Sequence, residues 1–186
     1  MKKYLLLILP FFLFILSNYI RDANQIITAS QINFNKLTGY EINSTIVVSV
    51  SLSGMEIKSV SNITTIKEGN NTYSIIYSPF TGITKNFIED ESIMKNPTIH
   101  FIYGGSRKVG KYDCDIIYAD SDKEMPLIDN LSEIKHFASY YCIEPHTGII
   151  IESFWSIYGK YRINDSLVDT EINITKYVNN FVIKGA

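Results

Sequence analysis

The stretch TIVVSVSL at residues 45–52 carries the alternation that indicates the fold of this chain. One set of alternate positions is entirely apolar and consists of Ile46, Val48, Val50 and Leu52. Successive side chains of a strand point to opposite faces, so this period of two predicts a strand with one buried face. Ser53 and Gly54 interrupt the pattern and residues 55–60 resume it, which predicts a β-hairpin.

Similar short runs continue along the chain and predict a mainly β protein of about nine or ten strands. Ile, Thr and the 13 tyrosines suit half-buried strands. No linker or charge run divides the runs, so we expect a single antiparallel β domain, built as a sandwich or as a curved half-barrel. The runs lie at residues 31–34, 72–77, 83–88, 98–103, 112–118, 139–143, 149–158, 161–163, 170–175 and 177–183.

One short helix is predicted at residues 131–137. Asn130 and Glu133 have the spacing of a capping box, in which two side chains satisfy the free amide groups at the start of a helix. A helix at this place would pack on the sheet between two of the predicted strands.

Two motifs of the same form separate pairs of predicted strands: YSPFTGIT at residues 77–84 and IEPHTGII at residues 143–150. Proline fixes φ for the first corner of a turn, a threonine hydroxyl can bond back to the backbone, and glycine accepts positive φ. We therefore interpret both motifs as hairpin turns, with ligand contact at the loop tips as the alternative. The turn residues are Pro79, Thr81, Gly82, Pro145, Thr147 and Gly148.

The N-terminal residues have the form of an export signal. Lys2 and Lys3 precede an apolar run at residues 4–16, and its 13 residues are too few for a spanning helix, which needs about 20. We assign residues 1–23 to a signal peptide or an uncleaved signal anchor, and residues 24–186 to an extracytoplasmic β-rich domain. In both cases the protein is secreted or extracytoplasmic, and it contacts a membrane only through the N-terminal segment, at residues 4–20.

Cys114 and Cys142 are the only cysteines, and an even pair in an oxidising compartment predicts a disulfide. Two buried free thiols are the alternative. Sequons for N-glycosylation also accord with export and predict a glycoprotein where the host glycosylates. They begin at Asn43, Asn62, Asn70, Asn130, Asn164 and Asn173.

Charge and motifs argue against several functions. The formal net charge is −2 and no stripe of Lys and Arg is present, so a nucleic-acid partner is not expected. Residues 104–111 imitate a phosphate-binding loop, but Tyr112 stands in place of the Ser or Thr that would hold Mg²⁺, and a strand pattern follows instead of a helix. The three histidines lack metal-ligand spacing and no nucleophile elbow occurs, so we predict no metal, no cofactor and no catalytic residue.

The stretch YYCIEPHTGIIIES at residues 140–153 resembles the strand–turn–strand hairpins of exported open β-barrel proteins of the lipoprotein-carrier type, and of uncharacterised secreted archaeal β proteins. Carriers of this type hold lipid on a concave, apolar sheet face that a helix closes. The resemblance therefore implies a hydrophobic cavity in this chain.

Three functions remain open on the sequence. The first is an extracytoplasmic β-rich binding or surface-layer module without catalytic activity, for which tyrosines would supply recognition area. The second, implied by the resemblance, is a carrier or sensor of a hydrophobic, lipid-like small molecule in a β cavity. The third is an exported hydrolase whose site assembles only in three dimensions. The expected partner is thus an unknown protein or a hydrophobic ligand.

Overall fold

The computed structural model describes residues 22–87, 100–121, 131–163 and 166–184, which form one helix and nine strands. The helix is α1 (Ala23–Asn35). The strands are β1 (Gly39–Leu52), β2 (Met55–Glu68), β3 (Asn71–Ser78), β4 (Gly82–Phe87), β5 (His100–Val109), β6 (Tyr112–Ser121), β7 (Leu131–Ile143), β8 (Ile150–Ile163) and β9 (Ser166–Ile183).

All nine strands belong to one antiparallel sheet in the order β4-β3-β2-β1-β9-β8-β7-β6-β5. Each strand pairs with its sequence neighbour through a hairpin, except that β1 pairs with β9 and the sheet ends at β4 and β5. The prediction of a mainly β, antiparallel domain with one helix is confirmed. A single sheet rules out the two-sheet sandwich, which was one of the two predicted architectures.

The register divides the sheet into two faces of different character. We call the face that carries Tyr40, Ile42, Ile117 and Ile143 the inner face, because these residues pack with the helix. The strand predicted at residues 45–52 contributes its apolar residues to the same face. Ile46 lies four positions after Ile42 on β1, and side chains an even number of positions apart on a strand point to the same face. The opposite, outer face of β1 and β2 carries mostly polar residues, including Glu41, Asn43, Thr45, Asn62 and Thr64.

Helix α1 covers one end of the inner face. Asp22 caps its N-terminus by accepting a hydrogen bond from the amide of Asn24 at 3.0 Å. Ala23 and Ile27 are spaced by one helical turn and pack against Ile117 and Ile143. At the other end of the helix, Phe34 contacts the ring of Tyr40, with centroids 5.2 Å apart. We call this end of the sheet the covered end, and the end with the β1–β2 turn the open end.

The sheet curls strongly at the covered end. The rings of Tyr112 on β6 and Phe181 on β9 stack with their centroids 4.9 Å apart. These strands are three positions apart in the sheet, a separation of about 14 Å if the sheet were flat. Close contact between the two rings therefore requires a curled sheet. Inner-face residues at the other end, such as Ile157 and Thr170, are also buried, as expected on the concave side of a curled sheet.

Two local predictions from the sequence are wrong. Residues 131–137 form the first half of β7 and not a helix, because this segment pairs with β8, from Leu131 opposite Tyr161 to Phe137 opposite Ile157. Pairing with a neighbouring strand outweighs a capping box that concerns only one turn. Residues 31–34 belong to α1 and not to a strand, because the burial of Ala23, Ile27 and Ser30 follows the helical period.

Candidate ligand-binding face

An apolar patch lies on the inner face towards the open end of the sheet. Register aligns Trp155 of β8 with Ile174 of β9 and Val48 of β1. The next aligned row contains Ile157, Ile172, Val50 and Ile57, and the row after it pairs Leu52 with Met55. Directly opposed side chains lie about 5 Å apart, so these rows form a continuous surface. We use the name apolar patch for seven of these residues: Val48, Val50, Met55, Ile57, Trp155, Ile172 and Ile174.

The apolar patch is partly exposed, although Ile157 in one of its rows is buried. Trp155 is 40% exposed, Ile57 59% and Met55 71%. At the covered end, by contrast, inner-face residues such as Tyr40 and Ile143 are buried beneath the helix. The concave face thus has a packed floor and an exposed apolar region, which is the general form of a site for an apolar ligand.

Trp155 stands at the boundary between these two regions. Its ring meets the rings of Phe137 and Tyr141 edge to face, with both centroid separations 6.5 Å. These contacts hold the indole on one side and leave the other side to the apolar patch. It is the only tryptophan in the chain, so its emission reports on this site alone.

A row of polar side chains borders the patch on the side of the covered end. Register aligns Tyr141 of β7, Ser153 of β8 and Lys176 of β9, followed by Ile46 of β1. We call Tyr141, Ser153 and Lys176 the polar row. Ser153 and Lys176 are both half-buried. Burial raises the pKa of the Tyr141 phenol, and the nearby Ser139 and Trp155 side chains partly oppose this rise.

The second predicted turn secures the helix above this face. The carboxylate of Glu144, which is buried, accepts hydrogen bonds from the amides of His146 and Thr147 at 3.1 and 2.8 Å. The hydroxyl of Thr147 accepts a bond from the amide of Ile149 at 3.2 Å. The side-chain amide of Asn33 in α1 donates to the carbonyl of Pro145 at 2.9 Å. The turn is therefore both a hairpin connection and a docking point for the helix.

Gly148 brings this turn close to the helix backbone. Its φ of +74° favours glycine, and a Cβ at this position would lie 2.0 Å from the carbonyl oxygen of Ser30. Gly82 has a similar φ of +71° but nothing within 4 Å of the corresponding point. The first turn, at Pro79, Thr81 and Gly82, is exposed. In this turn the amide of Phe80 donates a hydrogen bond to the Ser78 hydroxyl at 3.2 Å. The two similar motifs thus serve different structural roles.

Cys114 and Cys142 form a disulfide that joins β6 to β7, with Cα atoms 5.4 Å apart. Both cysteines are fully buried. Register places Arg107 opposite Cys114 and Glu152 opposite Cys142, and these flanking side chains form an ion pair at 2.9 Å. The hydroxyl of Tyr140 donates to Glu152 as well. Burial, followed by this hydrogen bond, raises the pKa of the Tyr140 phenol.

The predicted glycosylation sites that the structure describes lie on the outer face or at a turn. Asn43, Asn62 and Asn173 all project from the outer face of adjacent strands. Asn43 is held by its neighbours: it donates to Asn180 at 2.8 Å and accepts from Thr64 at 2.7 Å. Asn70 occupies the exposed β2–β3 turn. Asn130 and Asn164 lie outside the described residues, as does the N-terminal segment up to residue 21.

Metal and membrane features are not found in the part of the chain that the structure describes. The described ranges contain no group of three or more His, Cys, Asp or Glu side chains placed to hold a metal ion. Within the same ranges, no helix combines the length and the hydropathy needed to cross a bilayer.

Sequence reasoning missed the polar row. Alternate positions of β9 place one lysine among apolar residues on the same face: Ile172, Ile174, Lys176 and Val178. This lone lysine was visible in the sequence. Its significance depends on Ser153 and Tyr141, which only the sheet register brings beside it. The apolar set of β1 was predicted, but its exposure at the open end was not.

Comparison with known proteins finds similar structures but no similar sequence. No family model matches the chain, and no curated protein matches it. One matching structure is the Pseudomonas aeruginosa MucA/MucB complex, at TM-score 0.48 and 10% identity, covering 89% of this chain and 58% of that one. Another is the Mycobacterium tuberculosis lipoprotein LppX, at TM-score 0.37 and 8% identity, covering 86% and 97%.

A third match is a LolA superfamily protein from Nitrosomonas europaea, at TM-score 0.24 and 4% identity, covering 89% of this chain and 95% of that one. At these identities the similarity concerns the fold alone. The weak resemblance to lipoprotein-carrier-like open β-barrel proteins, first seen at residues 140–153, is confirmed in that sense.

Proposed function

We propose that this protein binds a hydrophobic, lipid-like small molecule on the apolar patch and serves as its carrier or sensor. The single observation that carries the proposal is the exposure of Trp155, Ile57 and Met55 on the concave face of the sheet. A large apolar surface that remains in contact with water is costly, and in soluble proteins it marks a place where something binds.

The contrast between the two faces supports the same proposal. On the outer face of β1 and β2, polar side chains form hydrogen bonds with polar side chains of the neighbouring strand. One example is the bond from the Thr45 hydroxyl to Asn62 at 2.9 Å. The inner face of the same strands offers mainly hydrocarbon groups near the open end. A bound acyl chain would replace water there, with a gain of about 0.8 kcal/mol for each methylene group that is buried.

We place this binding outside the cytoplasm. The buried disulfide supports this location, because such bonds persist in oxidising compartments. The apolar run at residues 4–16 supports export of the chain. Whether this segment is cleaved or retained as an anchor does not change the proposed site.

A second candidate is the protein-binding module, and a band on the outer face favours it. Register aligns Ile102, Tyr118, Tyr140 and Phe154 across four neighbouring strands. Ile102 is 61% exposed and Tyr118 46%. The rings of Tyr140 and Phe154 in this band stack with centroids 5.8 Å apart. This band lies on the opposite face of the sheet from the apolar patch.

The test is titration of the purified protein with decan-1-ol while the emission of Trp155 is recorded. We expect a saturable shift of the emission to shorter wavelength, because the ligand replaces water around the indole. Ile57→Asp should weaken binding about tenfold or more, since it places a charge on the patch and removes apolar contact. Val60→Asp is the matched control: it lies on the outer face of the same strand, is 46% exposed, and should bind like the wild type.

Equal unfolding midpoints of the two variants in urea would show that both are folded. Absence of any saturable response in the wild type, to this ligand and to decanoate, would refute the proposed function. Equal loss of binding in the Ile57 and Val60 variants would also refute it, because the site would then not be the inner face.

A further inference from the structure

We infer that the ligand is an anionic amphiphile, with a carboxylate or phosphate group bound at Lys176 and an apolar chain on the apolar patch. The inference rests on the proposed function, and it adds the chemical class of the ligand and its orientation in the site.

Lys176 is the first ground for this inference. Its position on β9 alternates with Ile172 and Ile174, so it faces the concave side and borders the patch directly. Its register partners are Ile46 on β1 and Ser153 on β8, neither of which is charged. In the described ranges no carboxylate lies within ion-pair distance of Lys176.

A half-buried lysine with no counter-ion beside an apolar surface is a natural place for a ligand that supplies the opposite charge. Other described lysines show the usual solution to this problem. Lys184 pairs with Glu41 at 3.2 Å, and Lys85 lies over the ring of Tyr73 at 4.0 Å. Lys176 has neither kind of neighbour in the described part of the chain, and its side chain lies on the inner face beside the apolar patch.

The neighbouring hydroxyl groups are the second ground. Ser153 lies directly opposite Lys176, and Tyr141 lies opposite Ser153, so donors from three adjacent strands line one row. One row nearer the open end, Ser139 Oγ is buried and has no hydrogen-bond partner among the described residues. Hydroxyl and ammonium donors together suit an acceptor-only anionic group such as a carboxylate or a phosphate.

The layout also determines the orientation of the ligand. The polar row lies between the helix-covered floor and the apolar patch, because Tyr141 packs both with the core beneath α1 and with Trp155. The charged group therefore points inward, and the chain extends over the patch towards the open end. Along β9, Lys176 and Ile172 are about 14 Å apart, enough for a medium-length alkyl chain.

The experiment compares decanoate with decan-1-ol at pH 8, using the emission of Trp155 in the wild type and in Lys176→Met. For the wild type we expect decanoate to bind about tenfold more tightly than the alcohol, the scale of one charge-assisted hydrogen bond. In Lys176→Met this advantage of decanoate over decan-1-ol should disappear. Lys176→Arg should keep most of the advantage, and Lys58→Met, on the exposed outer face, should keep all of it.

The outcomes separate this inference from the proposed function. If both ligands bind equally well and Lys176→Met changes neither, the anionic class is wrong while the hydrophobic site stands. If acetate or inorganic phosphate competes at the same concentration as decanoate, the lysine binds free anions and the amphiphile is excluded. If no ligand shifts the emission, the proposed function itself fails. Decyl phosphate tests the second headgroup and should follow the pattern of decanoate.

Discussion

Substitution of the two turn glycines tests how the second turn holds the helix. Gly82 and Gly148 close motifs of the same form, and their φ angles are +71° and +74°. Alanine at either position meets the same penalty for a left-handed backbone, about 1–2 kcal/mol. The positions differ in their surroundings, so Gly82→Ala is a matched control for Gly148→Ala.

The additional cost at Gly148 follows from its contact with α1. A Cβ would lie 2.0 Å from the carbonyl oxygen of Ser30 and 3.1 Å from Cβ of Phe34. Both neighbours belong to the helix, and the nearer atom is backbone, so the turn and the helix must separate by about 1 Å. This movement weakens the bond from Asn33 to Pro145, worth about 1 kcal/mol, and opens the packing around Phe34 at a similar cost. We expect a total of about 3–4 kcal/mol.

The assay is urea unfolding followed by tryptophan emission and by circular dichroism, in parallel for both variants. Gly82→Ala should lower the free energy of unfolding by about 1–2 kcal/mol and leave the shape of the transition unchanged. Gly148→Ala should lower it by about twice as much and increase hydrogen exchange in residues 23–35. Equal destabilisation by the two variants, with the helix amides still protected, would refute the docking role of the second turn.

Two further predictions concern the disulfide and the sequons. Replacement of Cys114 and Cys142 by serine should lower the free energy of unfolding by about 3–4 kcal/mol, because the disulfide closes a loop of 28 positions in the unfolded chain. A loss below 1 kcal/mol in urea unfolding would show that the disulfide does not restrict the unfolded chain in this way. In a host that glycosylates its exported proteins, Asn70 should carry a glycan in a larger fraction of molecules than Asn43, as measured by glycopeptide mass spectrometry of the folded protein. Asn70 is exposed at a turn, whereas the side chain of Asn43 is hydrogen-bonded to Asn180 and Thr64. Higher occupancy at Asn43 would contradict this reasoning.

Strands and turns were predictable because their signals are local. The alternation at residues 45–52 requires only a period of two, and β1 contains it whole. Pro79 and Pro145 with their glycines marked the hairpin turns, and the motif chemistry holds in detail at Thr147 and Glu144. The predicted disulfide needed two further facts that only the fold supplies: that β6 and β7 are neighbours, and that the Cys114 and Cys142 side chains share the outer face.

The sequence alone determined that this protein is an antiparallel β domain with glycine-containing turns and a single pair of cysteines, because side-chain alternation and turn conformations depend on a few consecutive residues. Only the tertiary structure decided where the helix lies, that residues 131–137 form a strand, and which of two similar turns supports the helix. It also placed Lys176 beside Ser153 on a concave face. These features depend on register and curvature, which are set by pairing between residues distant in the chain.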